Sequence, residues 1–558
     1  MEFKVIRGTC LLILLLIIET RQTEAKEILC LLGVGTETAI KWNKVLLNEL
    51  AAKGHDLTVV TPSIWDLEQE TNIDFIHLEN TNKFLKQRYE IKNNTENALE
   101  QSNWKMVVNW YDQHMATCRG NLESLGFSQV LNLALKGKRS IDLIIYDVTY
   151  GPSCLLHIAH LFGRIPIVGI TSSTLTSDIL KINQNSVLNA ALDPYGLSDF
   201  GRNMNYWKRL YNSALYGFDY AYSQWIVRPV IEGLWFHHVQ NINVPKSLNE
   251  IMPRFKVILA NHHPVLHTLT ALPANIIPVP GLHIQNTSTP SLTTDLLKFV
   301  EISKSNIVLI DLDLKQLGEI NVQTILESVR KFPKYNFIWN VKNSKKALKN
   351  KPHNLFMANS FENQELLSIA TNKIKFVVTV PEILPIQECL YYGKPMISII
   401  LKPEQRYLAK RIEEQGFAIN LQLSDIAATL ALAFEKILND KNLFNKAHKL
   451  QHTLRNPQNP SLASAVWWVE HLLQYPQAND HVISANKDTL GVFARNSFDI
   501  VLLFELLILM CIINMILVCR QTIQNFKQMS KAKRKTTEKK EEKLKKLKKE
   551  KKEKAKTS

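Results

Sequence analysis

The sequence is poor in cysteine, with seven in 558 residues, and no two of them have the spacing of metal ligands. Three lie in the apolar terminal segments, which leaves Cys30, Cys118, Cys154 and Cys389 in the body of the chain. We interpret these four as buried free thiols. An oxidising compartment would also permit a disulfide, whose partners the sequence does not identify. No metal site is predicted.

Outside its C-terminal tail the chain also lacks an excess of basic charge. Residues 520–558 hold 17 Lys and Arg against 5 Asp and Glu, so most of the formal charge of +16 belongs to this tail. Nucleic acid is therefore not a predicted partner. Hydrophobic residues make up 46% of the chain and charged residues 21%, a composition that excludes wholesale disorder. The length predicts two large domains.

Both ends of the chain carry an apolar segment. Residues 1–25 are typical of a secretory signal peptide, with a basic start, an unbroken apolar run and a small-residue cleavage site. An uncleaved anchor is the alternative, but the apolar run is short for a bilayer. Residues 500–519 are long and apolar enough to span, and the basic tail follows at once. The positive-inside rule predicts a cytosolic tail and a lumenal body.

The sequence also predicts a compartment and a modification. Lys554 and Lys556 stand fifth and third from the C terminus, as in a dilysine retrieval signal of the endoplasmic reticulum (ER). Acceptor motifs for N-glycosylation at Asn93 and Asn286 fall on the predicted lumenal side. We therefore expect a single-pass glycoprotein of the ER membrane.

Between its two ends the chain shows two successive segments in which strands and helices alternate. In residues 26–263, buried strands alternate with a helix over 38–53 in a βαβ unit, the beginning of a parallel sheet. Residues 264–296 contain five prolines and are predicted as the interdomain linker. The pattern restarts over 297–475, and residues 476–499 form a juxtamembrane segment. We predict two doubly wound, Rossmann-like domains.

Aromatic residues are dense between positions 206 and 236. They could line an acceptor pocket or rest on a membrane surface, but a hydrophobic core is the interpretation we favour.

Several motifs carry a resemblance to a known family. Residues 376–395 read FVVTVPEILPIQECLYYGKP, and residues 402–411 read KPEQRYLAKR. Further matches are PGLH at 280–283, FIW at 337–339 and AVWWVE at 465–470. Over nearly its whole length the chain resembles the UDP-glycosyltransferases, in the branch that includes the UDP-glucuronosyltransferases. The resemblance implies a GT-B fold, two domains facing across a cleft, plus one C-terminal transmembrane helix.

The resemblance also implies an activity, the inverting transfer of a sugar from a UDP-sugar co-substrate to a small lipophilic acceptor, with no resident cofactor or metal. In the family a His held by an Asp takes the acceptor proton. The aligned position of that His is Ala39, which has no proton acceptor. Asp147 falls where the supporting Asp is expected.

The donor motifs depart from the family in the same direction. The His-Gly-Gly that meets the diphosphate reads Val380-Pro381-Glu382, and the Gly-Ser after the domain's first strand reads Asp313-Leu314. Both changes add a carboxylate where a helix N-terminus should hold phosphate.

Other donor positions are mixed. The Trp expected to stack on uracil is Ser360, and the Gln expected at the ribose is Asn363. Glu388 matches the carboxylate expected to bind the ribose, and Glu404-Gln405 matches the pair expected to bind the sugar, with Glu in place of Asp. The alternative is that these carboxylates are ordinary helix-surface groups.

Two hypotheses follow. In the first, the protein is an active transferase in which Asp147 or Glu37 serves as the base. In the second, it is a pseudoenzyme that binds a lipophilic molecule, or a related glycosyltransferase in a homo- or hetero-oligomer. We favour the second, because the family's residues are missing at two places, the position of the catalytic His and the motif that meets the diphosphate.

Overall fold

A computed structural model gives the fold. The residues that it describes are 25–65, 72–93, 101–137, 139–182, 190–267, 272–285, 292–303, 306–341, 351–358, 361–455, 460–478 and 498–554. The predicted signal peptide, Asn286 and Ser360 therefore lie outside the described residues.

The first lobe is built on a parallel sheet. Within the described residues the strand order is β3-β2-β1-β4-β5-β6-β7. The strands are β1 (Glu27–Leu31), β2 (Asp56–Thr61), β3 (Ile73–His77), β4 (Leu143–Asp147), β5 (Ile167–Thr171), β6 (Phe255–Ala260) and β7 (Ile276–Pro278). The helices are α1 (Glu37–Ala52), α2 (Thr81–Asn93), α3 (Asn103–Leu122), α4 (Leu125–Lys136), α5 (Leu156–Leu161), α6 (Ser177–Ile182), α7 (Tyr206–Tyr222) and α8 (Arg228–His238).

The strands of this sheet form because their residues are apolar on both faces. In β1, Ile28 and Cys30 enter one buried cluster, whereas Leu29 and Leu31 enter another. A parallel sheet covered on both sides requires such runs, since successive side chains point to opposite faces. Helix α1 begins where the Thr36 side chain accepts a hydrogen bond from the Ala39 backbone N–H at 3.2 Å.

The second lobe repeats the architecture. Its strand order is β10-β9-β8-β11-β12-β13, again parallel throughout the described part. The strands are β8 (Ile307–Asp311), β9 (Asn336–Asn340), β10 (Leu355–Ala358), β11 (Ile374–Thr379), β12 (Met396–Ile400) and β13 (Ala418–Gln422). The helices are α9 (Thr294–Ile302), α10 (Leu314–Arg330), α11 (Asn363–Ile369), α12 (Ile383–Tyr391), α13 (Arg406–Gln415), α14 (Ile426–Asn439), α15 (Lys441–Arg455) and α16 (Ser461–Gln474). The prediction of two Rossmann-like domains is confirmed.

The two lobes are joined more closely than the proline-rich segment suggests. Strand β7 lies inside the predicted linker of residues 264–296 and pairs with β6, so the first sheet extends into that segment. Helix α16 packs back on α1 of the first lobe, where Lys53 and Glu470 form an ion pair of 3.0 Å. One buried apolar cluster includes both Ile28 and Ile307, one from each sheet.

The cysteines correct one expectation. Cys118, in α3, and Cys154, just before α5, form a disulfide, so the prediction of four free thiols was wrong. Cys30 and Cys389 are free and buried, as expected. The bond connects α3 to the segment that follows β4, two parts of the chain that no sequence pattern indicated as partners.

A second compact unit comprises residues 486–558. Its helix α17 (Phe498–Lys554) has 57 residues and contains the predicted span 500–519. The apolar part is fully exposed in the structure and is long enough to cross a membrane, so α17 is a candidate transmembrane helix.

Candidate functional site

The acceptor-side residues lie at the carboxyl ends of neighbouring strands. Asp147 is the last residue of β4, which pairs with β1, and Ala39 lies in the first turn of the helix that follows β1. Ala39 is 1% exposed and packs in an apolar cluster with Val34 and Tyr150. Trp110 stands 4.9 Å from the Tyr150 ring, centroid to centroid. Position 39 therefore lies among apolar and aromatic groups.

Asp147 is a buried carboxylate. Its Oδ1 accepts a hydrogen bond from the Thr149 backbone N–H at 2.9 Å. Its Oδ2 is buried and has no hydrogen-bond partner among the residues that the structure describes. Burial raises the pKa of Asp147 to about 6, because a charged carboxylate loses its hydration. The hypothesis that Asp147 serves as the base requires such a raised pKa.

On the donor side, two helices begin at adjacent strand ends. Strands β8 and β11 are neighbours, with Asp311 paired to Thr379. Asp313 is the N-cap of α10, and its Oδ1 accepts a hydrogen bond from the Lys315 N–H at 2.9 Å. Only one helical turn follows Asp313, because the backbone at Gly318 is not helical (φ 75°, ψ 162°) and interrupts α10 there. The Lys315 N–H at the start of this turn is thus already bound to a carboxylate of the chain.

The start of α12 also has a carboxylate next to it. Glu382 is its N-cap residue, and Oε1 of Glu382 accepts a hydrogen bond from Gln405 Nε2 at 3.1 Å. The Gln405 Oε1 accepts from the N–H groups of Leu401 and Lys402, at 2.8 and 3.0 Å. Both ends of this amide are therefore occupied within the chain. The neighbouring Glu404 is half-buried.

The remaining donor candidates are also enclosed. Glu388 is buried, and one of its carboxylate oxygens lies 3.8 Å from His283 Nε2. Burial, and then the charge of Lys41, lower the pKa of His283 to about 3, so this contact is not an ion pair at neutral pH. Asn363 accepts a hydrogen bond from Asn340 Nδ2 at 3.0 Å. The roles of Glu388, Asn363 and Ser360 at a donor stay predictions.

Polar contacts cross the cleft between the lobes. Lys41 Nζ, on α1, lies 2.9 Å from Glu362 Oε2 at the start of α11. Burial alone would lower the pKa of Lys41, but the carboxylates of Glu362, Glu37 and Glu388 together raise it above its usual value. Gln387 donates to Asn261 Oδ1 at 2.6 Å, and both side chains are buried. The two lobes are thus in direct contact across the cleft.

A family model described as UDP-glucoronosyl and UDP-glucosyl transferase matches residues 30–536. The chain belongs to this UDP-glycosyltransferase family. The match includes both lobes and the candidate span, so it covers the half-sites described above.

Curated relatives agree with this assignment at low identity. UDP-glycosyltransferase UGT4 of Dactylopius coccus is 22% identical over 88% of this chain and 94% of its own length. UDP-glucuronosyltransferase 2A3 of Cavia porcellus is 22% identical over 88% of this chain and 92% of its own.

Solved structures support the fold. The calicheamicin glycosyltransferase CalG4 superimposes with a TM-score of 0.53 at 15% identity, covering 81% of this chain and 99% of its own. Glycosyltransferase VinC, solved with DTDP, superimposes with a TM-score of 0.54 at 14% identity, over 80% and 99%. These likenesses confirm the GT-B fold.

This family member has a narrow cavity in its first lobe. The cavity lies between the segment after β5, the loop at residues 194–197 and α7, and Tyr407 of the second lobe closes one side. Three of its polar atoms, Thr176 Oγ1, Ser177 Oγ and His267 Nε2, are buried without a hydrogen-bond partner among the described residues. Burial keeps the pKa of His267 well below its usual value, so the ring is neutral. The cavity encloses about 20 Å³, room for about one water molecule, so a larger uncharged ligand would have to displace part of its lining.

Sequence reasoning missed two features of this site. Lys41 stands two residues after Ala39, and a lysine beside the buried face of α1 could have indicated a charge in the cleft. Nothing in the sequence pointed to the cavity, because its lining comes from distant segments, one of them in the other lobe.

Proposed function

We propose that this member of the UDP-glycosyltransferase family has lost sugar transfer and binds a small lipophilic molecule in its first lobe. The observation that carries the proposal lies on the donor side. The helical turn after β8 and helix α12 after β11 each begin next to a carboxylate of the chain, Asp313 and Glu382 respectively. These carboxylates support the proposal that UDP-sugar, the family's co-substrate, does not bind to this protein.

Electrostatics explain why these two residues matter. A helix N-terminus attracts anions through its exposed N–H groups and its dipole. Where a carboxylate already stands there, an incoming phosphate meets a like charge instead. At a separation of 4 Å and an effective dielectric constant near 20, that repulsion is about 4 kcal/mol.

The acceptor side has lost its base independently. Ala39 cannot accept a proton, and general-base catalysis typically contributes roughly 10²–10⁴-fold in rate. Its neighbours Val34 and Tyr150 are apolar or aromatic, and neither replaces the imidazole. Two losses in different lobes act on different steps, since one concerns donor binding and the other concerns proton transfer.

A second candidate function is slow transfer with Asp147 as the base. It is favoured by the raised pKa of Asp147 and by its unpartnered Oδ2. A carboxylate with a pKa near neutrality can accept a proton from a hydroxyl group. This candidate requires a donor site that binds UDP-sugar, which the first proposal denies.

The setting that we propose is the ER membrane, with a lumenal body, a cytosolic tail, a cleaved signal peptide and glycans at Asn93 and Asn286. The disulfide between Cys118 and Cys154 supports an oxidising compartment. The candidate span in α17 supports a single-pass anchor. Related glycosyltransferases, or a second copy of this chain, are the proposed protein partners.

The deciding experiment measures binding and turnover on the full chain in detergent or nanodiscs. Calorimetry with UDP and with UDP-glucose or UDP-glucuronic acid should give no binding heat, and no product should form with a panel of phenols and steroids. The same panel should raise the melting temperature through the first-lobe cavity. Micromolar UDP-sugar binding with steady product formation would sink the proposal and favour Asp147 as a base.

A further inference from the structure

The aromatic segment between positions 206 and 236, for which we favoured a hydrophobic core, forms one long helical element with an exposed apolar face, so that interpretation holds only for its buried side. It comprises α7, a π-helical turn at Ser223–Val227 and α8, or 33 residues and roughly 50 Å. Its buried residues recur every three or four positions and include Leu215, Val227 and Trp235. The opposite side, here named the α7–α8 face, is made of exposed residues: Tyr206, Trp207, Leu210, Tyr220, Trp225, Ile226, Val230 and Phe236.

The π-helical turn keeps this face continuous. Residues four apart in an α-helix drift by roughly 40° around the axis, so a burial pattern with a period of four would wind around a long straight helix. A wider turn at residues 223–227 offsets part of that drift. As a result Trp207 and Trp225, 71% and 73% exposed, both lie on the side away from the core.

The exposed charged side chains near the start of this element are positive. Lys208 and Arg209 are exposed near its start. Its two carboxylates are turned away from solvent or engaged, because Asp219 is buried and accepts a hydrogen bond from Tyr111, and Glu232 accepts one from the Leu248 N–H. The α7–α8 face therefore combines apolar and aromatic groups with positive charge.

We propose that the α7–α8 face rests in the headgroup region of a lipid bilayer. Tryptophan and tyrosine favour this region, because their rings are apolar and their N–H or O–H groups remain hydrated. Lysine and arginine beside such a face bind anionic headgroups. Eight large exposed apolar side chains on one element exceed what a soluble surface usually carries.

The length of the connecting chain limits how far the body of the protein can lie from the candidate span. Only 23 residues separate the end of α16 at Gln474 from the start of α17 at Phe498. Even fully extended they span about 80 Å, so a bilayer crossed by α17 is always within reach of the body. The effective lipid concentration is then high, and a weak surface interaction suffices.

Tryptophan quenching by brominated phospholipids tests this proposal in the full chain, reconstituted in vesicles with and without anionic lipid. The candidate span contains no tryptophan. We expect quenching in the wild type and loss of more than half of it in the Trp207→Phe, Trp225→Phe double variant. Trp467→Phe is the matched control, because Trp467 is 53% exposed on α16, outside the face. Quenching should also be stronger in the anionic vesicles.

Two outcomes would overturn the proposal. Equal quenching in the double variant and in Trp467→Phe would show that the face does not contact lipid. Absence of quenching in the wild type, together with a dimer in sedimentation that the double variant abolishes, would identify a second copy of the chain as the occupant. Since phenylalanine preserves the shape of the face, folding of both variants is checked by an unchanged melting temperature.

Discussion

The two half-sites differ in what their polar groups do. In the first lobe Asp147 Oδ2, Thr176 Oγ1 and His267 Nε2 are buried without partners among the described residues. In the second lobe Gln405 is bonded to Glu382, and Asp313 caps its own helix. Buried polar atoms without partners cost free energy and are compensated when a ligand pairs with them. The second lobe also holds buried polar atoms without partners among the described residues, Asn340 Oδ1 and Gln387 Oε1, but the carboxylates at its two helical starts are bonded within the chain. This difference supports the proposal of a ligand in the first lobe and none at the donor position of the second.

The largest expected effect comes from giving the second lobe the family's motifs. The variant D313G/L314S/V380H/P381G/E382G removes both carboxylates and introduces three glycines. Removal of one repulsion of about 4 kcal/mol corresponds to roughly a 1,000-fold gain in UDP affinity. We expect measurable UDP binding by calorimetry in this variant, and none in the wild type.

A matched control for net charge is the Glu435→Gln, Asp440→Asn double variant, which removes two carboxylates elsewhere in the same lobe. It should bind no UDP. Ala39→His alone should give no turnover, but in the restored background it could act with Asp147. If the restored variant folds and still binds no UDP, the carboxylates are not what closes the donor site.

The buried carboxylate of Asp147, in the first lobe, should lower the free energy of unfolding at neutral pH. We expect no such effect from Asp313 in the second lobe. The folded pKa of Asp147, about 6, lies above the value in the unfolded chain, so it contributes stability only in acid and lowers stability as pH rises toward 6. Asp147→Asn should therefore stabilise the protein at pH 7 by about 3 kcal/mol, since each pKa unit corresponds to about 1.4 kcal/mol. Melting temperatures at pH 7 and pH 4.5 check this, and the gain should shrink in acid.

Asp313→Asn is the control for that substitution. Asparagine caps a helix as well as aspartate does, so the change should stay within about 0.5 kcal/mol at both pH values. A destabilised Asp147→Asn at pH 7 would mean that the charged carboxylate is needed in the fold.

The junction between the lobes should respond to acid in the opposite direction. His283, beside Glu388, has a pKa lowered to about 3, so the folded protein favours its neutral form. The free energy of unfolding therefore does not depend on this ring above about pH 6.5 and decreases as the pH falls below that value. At pH 5 the loss is about 2 kcal/mol for this ring. His283→Gln should flatten the fall in melting temperature between pH 7 and pH 5. An equally steep fall would place the acid sensitivity in other buried histidines, such as His262.

Much of the fold and part of the candidate site could be predicted from the sequence, and the features that were missed have physical reasons. Strands such as β4 and β11 were predictable because both faces of a parallel sheet are covered, which demands unbroken apolar runs. Strand β3 was missed, since it lies at the sheet edge and exposes Asp74 and His77. The alanine at the position that the resemblance assigns to the catalytic His was visible in the sequence. The hydrogen bond from Gln405 to Glu382, and the disulfide from Cys118 to Cys154, depend on tertiary packing that no local pattern encodes.

The smallest expected effect concerns the ion pair that crosses the cleft. Lys41 and Glu362 are 34% and 47% exposed, and such pairs contribute roughly 0–1 kcal/mol. Glu362→Gln should therefore change the melting temperature very little, by about as much as the control Glu413→Gln, which breaks the surface pair with Lys410. It should, however, increase protease cleavage of segments near the cleft, because the contact holds one lobe against the other. Added salt should have the same effect on the wild type, since screening weakens a half-exposed pair. If neither the variant nor salt changes the cleavage pattern, the buried bond between Gln387 and Asn261 and the shared apolar cluster are sufficient to keep the lobes closed.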